Sequence, residues 1–339
     1  MTSRIPVKLV AMAVTIGIGV AMSGSAHAAT RGAEPDTLQR GASHPRLLAS
    51  GLGASTGSTV GPDGGVYVVD GAAGVVRRVD PDTGRTSTVV TDLPQQVGPY
   101  GGPVDIAFVG RTAYVLVTLV SPDVGGVSID GIYRIDASGR ATPIADVGAW
   151  SIAHPPATDF FVPSGVLYAM QPFPGGFLVT DGHHNRLLRV ALDGAISQVV
   201  ALGNVVPTGL AVRGSAVYIG EAGPVPHRPQ DGAIVALQHR SSTTTKVASG
   251  APLLVDVEFG PGPALYALSQ GHFTPGHDEG SPADPHTGGL FRADPNGTMR
   301  ELVTGLDRPT SLEIVGNHAY VVTLTGQLWT MHLPDRDHP

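Results

Sequence analysis

The chain of 339 residues contains no cysteine. Disulfides, thiolate catalysis, Cys-ligated zinc or iron–sulfur centres and a lipobox anchor are therefore excluded. Charge is also scarce, at 14% of residues, with a formal net value of -7. Binding to phosphate backbones needs clustered Lys and Arg, and 21 such residues spread along the chain do not supply it, so no nucleic-acid partner is expected. No long apolar stretch follows Met22, which leaves no integral membrane domain once the N-terminus is removed. What the chain has in plenty is turn formers, 46 Gly and 29 Pro, the profile of a turn-rich all-β protein.

The N-terminus reads as an export signal. Arg4 and Lys8 give a positive n-region, Leu9 to Met22 an apolar core, and Ala26-His27-Ala28 a small-x-small cleavage site. Residues 1–28 are thus expected to be a signal peptide cleaved after Ala28, with the mature protein secreted. Residues 29–45 are polar and lack apolar periodicity, as a flexible leader would. The propeller described next is expected over 46–334, followed by a short tail at 335–339.

From Arg46 the chain repeats a unit of short apolar strands separated by Gly, Pro, Asp and Asn. The clearest copy is Thr208 to Val212, Ala216 to Glu221, Gly232 to Leu237 and Thr243 to Ala248. Anchor aromatics at Tyr67, Tyr114, Phe177, Tyr218, Tyr266 and Tyr320 lie 47, 63, 41, 48 and 54 residues apart. That interval suits four-stranded blades plus loops. The sixth unit ends without a fourth strand. An open array would leave an unpaired edge, so Leu47 to Ser50 is expected to complete the last blade. The predicted fold is an all-β, six-bladed β-propeller of four-stranded antiparallel blades closed by the N-terminal strand.

The motifs Pro207-Thr208-Gly209-Leu210-Ala211-Val212 before Val217-Tyr218-Ile219-Gly220-Glu221, and Pro309-Thr310-Ser311-Leu312 before Tyr320-Val321-Val322, resemble the NHL-type repeat of six-bladed propellers. More narrowly, the blade order is similar to that of the secreted ScyD/ScyE family. Pro103 to Phe108, Pro174 to Asp181 and Leu254 to Gly262 carry that closer resemblance. It implies an exported propeller without an established reaction. In place of an Asn- and Asp-rich approach to the third blade, this chain has His154 to Ser164.

Innermost propeller strands border a central channel, so polar groups on them converge from distant sequence positions. Asp105 and Asp256 occupy matching places in first strands, and Asp70, Asp181 and Glu221 matching ends of second strands. All five are ligand-binding candidates. Converging carboxylates need a cation or hydrogen-bond donors to offset repulsion, and Ca²⁺ at Asp105, Asp256 and Glu221 is the candidate metal site. The same acids would equally serve to cap turn N–H groups or to pair with Arg. Thr118, Ser269 and Thr323 replace the acid in the remaining blades, so the ring is only partly acidic. His272, His277, Asp278, Glu279, Asp284 and His286 form a second cluster in the fifth-blade insertion, in no recognised zinc spacing. His183 and His184 fall in a third-blade turn. Arg77, Arg78, Arg134, Arg189 and Arg292 recur on third strands, where pairing with Asp of adjacent blades is expected.

Two functions follow. One is a monomeric binding or scaffold module that takes a small molecule, glycan or protein through the channel or along a rim shaped by the insertions of blades two, four and five. The other is a Ca²⁺-dependent hydrolase or lactonase acting in the channel. A Ser/His/Asp hydrolase is not expected, because its nucleophile elbow needs a strand-to-helix turn.

Overall fold

The computed structural model describes residues 44–225, 227–237, 243–274 and 281–334. Residues 1–28, expected to be a signal peptide, residues 29–43 of the expected leader and residues 335–339 lie outside the described residues. Blade one comprises β2 (Ser58–Val60), β3 (Val66–Asp70), β4 (Val75–Val79) and β5 (Thr86–Val90), and follows β1 (Arg46–Ala49). Blade two is β6 (Gly102–Val109), β7 (Thr112–Thr118), β8 (Gly131–Ile135) and β9 (Ala141–Asp146). Blade three is β10 (Leu167–Phe173), β11 (Gly176–Asp181), β12 (Arg186–Ala191) and β13 (Ile196–Ala201). Blade four is β14 (Pro207–Arg213), β15 (Ala216–Glu221), β16 (Gly232–Leu237) and β17 (Thr244–Ala251). Blade five is β18 (Leu254–Phe259), β19 (Leu265–Ser269), β20 (Gly288–Ala293) and β21 (Met299–Leu306). Blade six is β22 (Pro309–Val315), β23 (His318–Thr323) and β24 (Leu328–His332).

The strands form six antiparallel four-stranded sheets, and the sixth has the order β1-β24-β23-β22. Closure by the N-terminal strand is as expected, with Arg46 opposite Thr330 and Ala49 opposite Leu328. The six first strands touch in a ring, each against the next and β22 against β2, around one axis.

Alternation along each strand sends side chains to both flanking blades, which yields a separate apolar core at every seam. Leu116, Phe177 and Leu188 fill the seam of blades two and three, and Leu268, Leu312 and Val321 that of blades five and six. Turns between third and fourth strands follow a local rule. Asp80 Oδ1 accepts from Thr83 N at 2.9 Å and Asp136 Oδ1 from Ser138 N at 2.8 Å, while Gly84 and Gly139 take the positive φ that closes each turn.

Among the described residues the strands are interrupted by α1 (Val147–Ala153), between blades two and three, and by a single helical turn at Pro122–Val124. Asp146 caps it, its side chain accepting from Ala149 N. The helix lies over the insertion of blade two, where Gly148 N donates to Asp130 O at 2.9 Å.

Each first strand runs from the face bearing the second-to-third-strand loops to the opposite face. The three insertions expected to shape a rim, between β7 and β8, β15 and β16, and β19 and β20, therefore all emerge on one side with α1. The opposite side carries the first-to-second-strand turns.

Candidate functional site: a carboxylate-lined channel

A shift of register interrupts the first strand of five blades, between Pro103 and Asp105, Leu167 and Met170, Pro207 and Leu210, Leu254 and Asp256, and Pro309 and Ser311. Such bulges re-aim a side chain and release backbone N–H groups from the ladder. Asp105 and Asp256 take up the released groups. Asp105 Oδ1 accepts from its neighbour Ile106 N at 2.8 Å, and Oδ2 from Met170 N of blade three at 2.6 Å. Asp256 repeats this with Val257 N at 2.9 Å and Leu312 N of blade six at 2.7 Å. The two carboxylates face each other from blades two and five, and each ties its blade to the next.

Further carboxylates stand along the same wall. Glu258, two residues beyond Asp256, and Glu313 on β22 form a lower tier with Gln171, whose Nε2 donates to Glu258 Oε1 at 3.4 Å. Asp256, Glu258 and Glu313 are half-buried because they border the narrow channel, yet protein surrounds them and desolvation governs their ionisation. Burial pushes Asp256 up to about 7 against the pull of the Leu312 and Val257 N–H groups. Burial likewise raises Asp105 well above the usual carboxylate range, with the charge of Asp256 adding to it. Glu258 also rises, first by desolvation and then by repulsion from Asp256, and Glu313 rises by desolvation and then by repulsion from Glu258, Asp256 and Asp105. Tyr168 is raised by burial and by the charges of Asp256 and Asp105.

The space between these groups is a cavity of about 20 Å³ bordered by Asp105, Asp256, Glu313, Gln171, Tyr168 and Ser311. That is room for a water molecule or two. On the opposite face from the insertions lies a depression of about 470 Å³, walled by Phe108, Phe173, Leu192 and Val212. Its walls come from blades two, three and four, and it begins one residue past Gln171, at Pro172.

The other expected ligands are placed differently. Asp70 ends β3 with its carboxylate accepting from Ala54 N at 3.3 Å, Ala73 N at 3.1 Å and Arg77 Nη2 at 3.0 Å. Asp181 ends β11 and accepts from Val166 N and His184 N, each at 3.1 Å, and from Arg186 Nε at 3.1 Å. Both are occupied in joining strand ends to the connector of their own blade. Glu221 is buried and raised to about 7 by that burial, with Lys246 acting the other way. It pairs with Pro207, two residues before the Gly209 that faces Asp256, so it stands about 7 Å further along the strand direction. Asp105, Asp256 and Glu221 therefore do not form one cage. Among the described residues no group of three or more His, Asp or Glu side chains is arranged to hold a metal ion.

Arg77 pairs with Asp70, and Arg78 with Asp63 at 2.6 Å, so these arginines bind acids of their own blade rather than an adjacent one. In the fifth-blade insertion, His277, Asp278 and Glu279 lie outside the described residues, while Asp284 Oδ2 accepts from Thr274 Oγ1 at 2.6 Å. The pattern Gly-x-Ser-x-Gly does occur, at Gly53 to Gly57, but it leads into a strand. Ser55 there is fully buried and donates to Leu52 O at 3.1 Å, which makes it no nucleophile elbow.

The third-blade turn holds a buried polar cluster. His184 Nδ1 lies 2.8 Å from Arg186 Nη2 and its Nε2 lies 3.0 Å from Val162 O. The same Nδ1 lies 3.1 Å from Asp181 Oδ2, so His184 stands between a buried guanidinium and a buried carboxylate. His183 Nε2 accepts from Phe161 N at 2.9 Å and Val162 N at 3.1 Å. Burial, then the neighbouring His184, lower its pKa to about 4.

Glu258, Glu313, Gln171 and Tyr168 were not among the expected site residues. The signal for Glu258 was its spacing of two from Asp256 in one strand, which puts both on one face.

Fold and channel together define a closed six-bladed β-propeller with a carboxylate-lined axis. No family model matches the sequence, and no curated protein matches it. Solved structures match the fold. A gluconolactonase from Xanthomonas campestris is similar with TM-score 0.59 and 14% identity, over 86% of this chain and 89% of that one. A PQQ-bound aldose sugar dehydrogenase from Streptomyces coelicolor is similar with TM-score 0.58 and 14% identity, over 85% and 96%. A virginiamycin B lyase from Staphylococcus aureus is similar with TM-score 0.52 and 15% identity, over 86% and 98%.

Proposed function

We propose that this chain is an exported propeller enzyme that opens an ester or lactone of a small, partly apolar molecule at the channel mouth. The reading is carried by one observation: the channel wall holds carboxyls raised by burial, and Gln171, which bonds to Glu258, directly precedes Pro172 in the wall of an apolar depression of about 470 Å³. Pockets of that volume suit small ligands, and shifted carboxyls in a cleft mark acid–base sites. The neighbours lend the class a precedent, since gluconolactonases and a virginiamycin B lyase are built on propellers, while their low identity carries the fold alone.

In this reading the apolar body of the substrate rests against Phe108 and Phe173, with the reacting group at Glu258 and Glu313. Mutual repulsion keeps one of these carboxyls protonated while the other ionises. The ionised one takes a proton from water as its oxygen attacks the carbonyl carbon. The protonated one gives its proton to the alkoxide oxygen as the carbon–oxygen bond breaks, so charge and protons balance. No step is routed through Ca²⁺, because the expected ligands do not converge.

The test uses protein recovered from the medium of an expressing culture. Its N-terminus is expected at Ala29, and it is assayed with aryl esters and lactones by pH indicator. Turnover should fall at least a hundredfold in Glu258→Gln and Glu313→Gln while the melting temperature is kept. Absence of turnover in the parent protein, or full activity in both variants, overturns the enzyme reading.

The narrowness of the channel favours a second reading. With about 20 Å³ between the carboxylates, the molecule would serve as a ScyD/ScyE-type binding module for a small molecule, glycan or protein. Its signature is saturable ligand binding without turnover.

A further inference from the structure

Away from the channel, the insertion of blade two brings two acids together under α1. Asp123 lies in the single helical turn Pro122–Val124, and Asp130 directly precedes β8. Between them, Ser121 Oγ stands 2.5 Å from Asp123 Oδ1 and 2.6 Å from Asp130 Oδ2. A hydroxyl has one proton and can satisfy one of these oxygens. The other contact sets oxygen against oxygen unless a proton or a cation stands between them.

Ser164, from the connector that leads into β10, supplies the independent sign. Its backbone N donates to Asp123 Oδ2 at 2.9 Å, which seats the residue over the two acids. Its side chain has no exposed surface, and its Oγ has no hydrogen-bond partner. Its nearest acceptor is the Asp130 carboxyl, which it approaches closely enough to lower that acid's pKa without reaching hydrogen-bond geometry. A buried hydroxyl without a partner costs free energy unless a ligand meets it. Among the described residues no Lys, Arg or His acts on Asp130, whose remaining oxygen accepts from Val120 N at 2.8 Å. α1 closes the arrangement from above, and a Cβ added at Gly148 would come within 3.0 Å of Asp130 Cβ and 3.4 Å of Ser164 Cβ.

We propose that Ser121, Asp123, Asp130 and Ser164 form a site for one Ca²⁺ ion that joins the blade-two insertion to the connector entering blade three. The donor set is two carboxylates and two hydroxyls, all hard oxygens, drawn from three separate stretches of chain. That suits the large, irregular coordination shell of Ca²⁺, completed by water, better than the strict octahedron of Mg²⁺. The ion stands where a positive charge is missing beside Ser121, and it engages the idle Ser164 hydroxyl. The site is independent of the hydrolase reading, since no channel residue takes part.

The experiment strips the mature protein with EDTA, dialyses it, and titrates it with CaCl₂ by calorimetry alongside thermal melting. One Ca²⁺ should bind per chain, with a rise in melting temperature of roughly 5 °C at a hundredfold excess over Kd. Asp130→Asn should weaken binding at least tenfold, and Ser164→Ala, which removes an unpaired hydroxyl and keeps the fold, should do the same. Asp256→Asn should leave the affinity unchanged. No Ca²⁺ response in the parent protein overturns the proposal and assigns the gap to a water or a proton. Unchanged affinity in Ser164→Ala, loss of binding in Asp256→Asn, or an equal response to MgCl₂ overturns it as well.

Discussion

Asp105 and Asp256 carry two demands at once. They are acids in the wall of a channel, and each is also the acceptor for two backbone N–H groups that no sheet ladder uses. Removing the carboxylate strands both donors. Asp256→Ala should therefore lower stability by roughly 2–4 kcal/mol, and Asp256→Asn, which keeps one acceptor oxygen, by less. Urea unfolding of both variants checks this, and an Ala variant as stable as the parent would remove the tie between blades five and six from the account. The presence of these acids was legible in the sequence, because a charge inside an apolar strand has to be satisfied somewhere. Their partners were not. Which N–H groups come free depends on the bulges at Asp105 and Asp256, and a bulge leaves no mark in a two-residue period. Asp70 and Asp181 show the same limit from the other side. Their shared phase was readable, but Ala54, Ala73, Val166 and His184 turn their N–H groups towards them only once the connectors fold back.

Among the elements, β1 is the one whose role the repeat count demanded in advance, because a blade with three strands leaves an open edge. It buries Ala49 beside Leu52 and Leu328 at the seam of blades six and one. Deleting residues 46–50 should cost roughly 3 kcal/mol or more, by exposing that apolar surface and the edge of β24. Thermal melting of the truncated chain tests it, and an unchanged melting temperature would show that the ring closes without this strand. α1 was invisible for the opposite reason. Val147 to Ala153 is seven residues long, too short to display a 3.6-residue period, and its one local sign was the capping Asp146. The helix exists because it packs on Asp130 and Arg186, both distant in sequence. Its Trp150 ring lies 5.1 Å from the Arg186 guanidinium carbon.

The molecule as a whole sets two kinds of titrating group against each other. Asp256 has a folded pKa of about 7 against an ordinary 3.8, so the folded state holds a proton that the unfolded chain releases. That contribution is full below about pH 4 and is lost as the pH rises through 7. Glu258 and Glu313 are raised and act in the same sense. His183, lowered from 6.5 to about 4, works in the other direction, and its contribution is lost as the pH falls through 4. Between pH 4 and 6.5 the slopes oppose; above 6.5 the carboxyls act alone. The melting temperature should thus decline from pH 6.5 to 8, and Glu258→Gln should flatten that decline. Melting curves across this range decide it, and a rise towards pH 8 would contradict the protonated channel.

The antiparallel register of the closing strand also has a mechanical meaning. Arg46, where the chain enters β1, lies opposite Thr330, two residues before β24 ends at His332. Entry and exit are therefore on the same side of one ladder, and tension applied through them pulls the two strands apart from that side. The hydrogen bonds would then load one after another, as in peeling, instead of sharing the force as they would in shear. A ring packed along six seams thus has, for a pull on its ends, one ladder that opens first at Arg46.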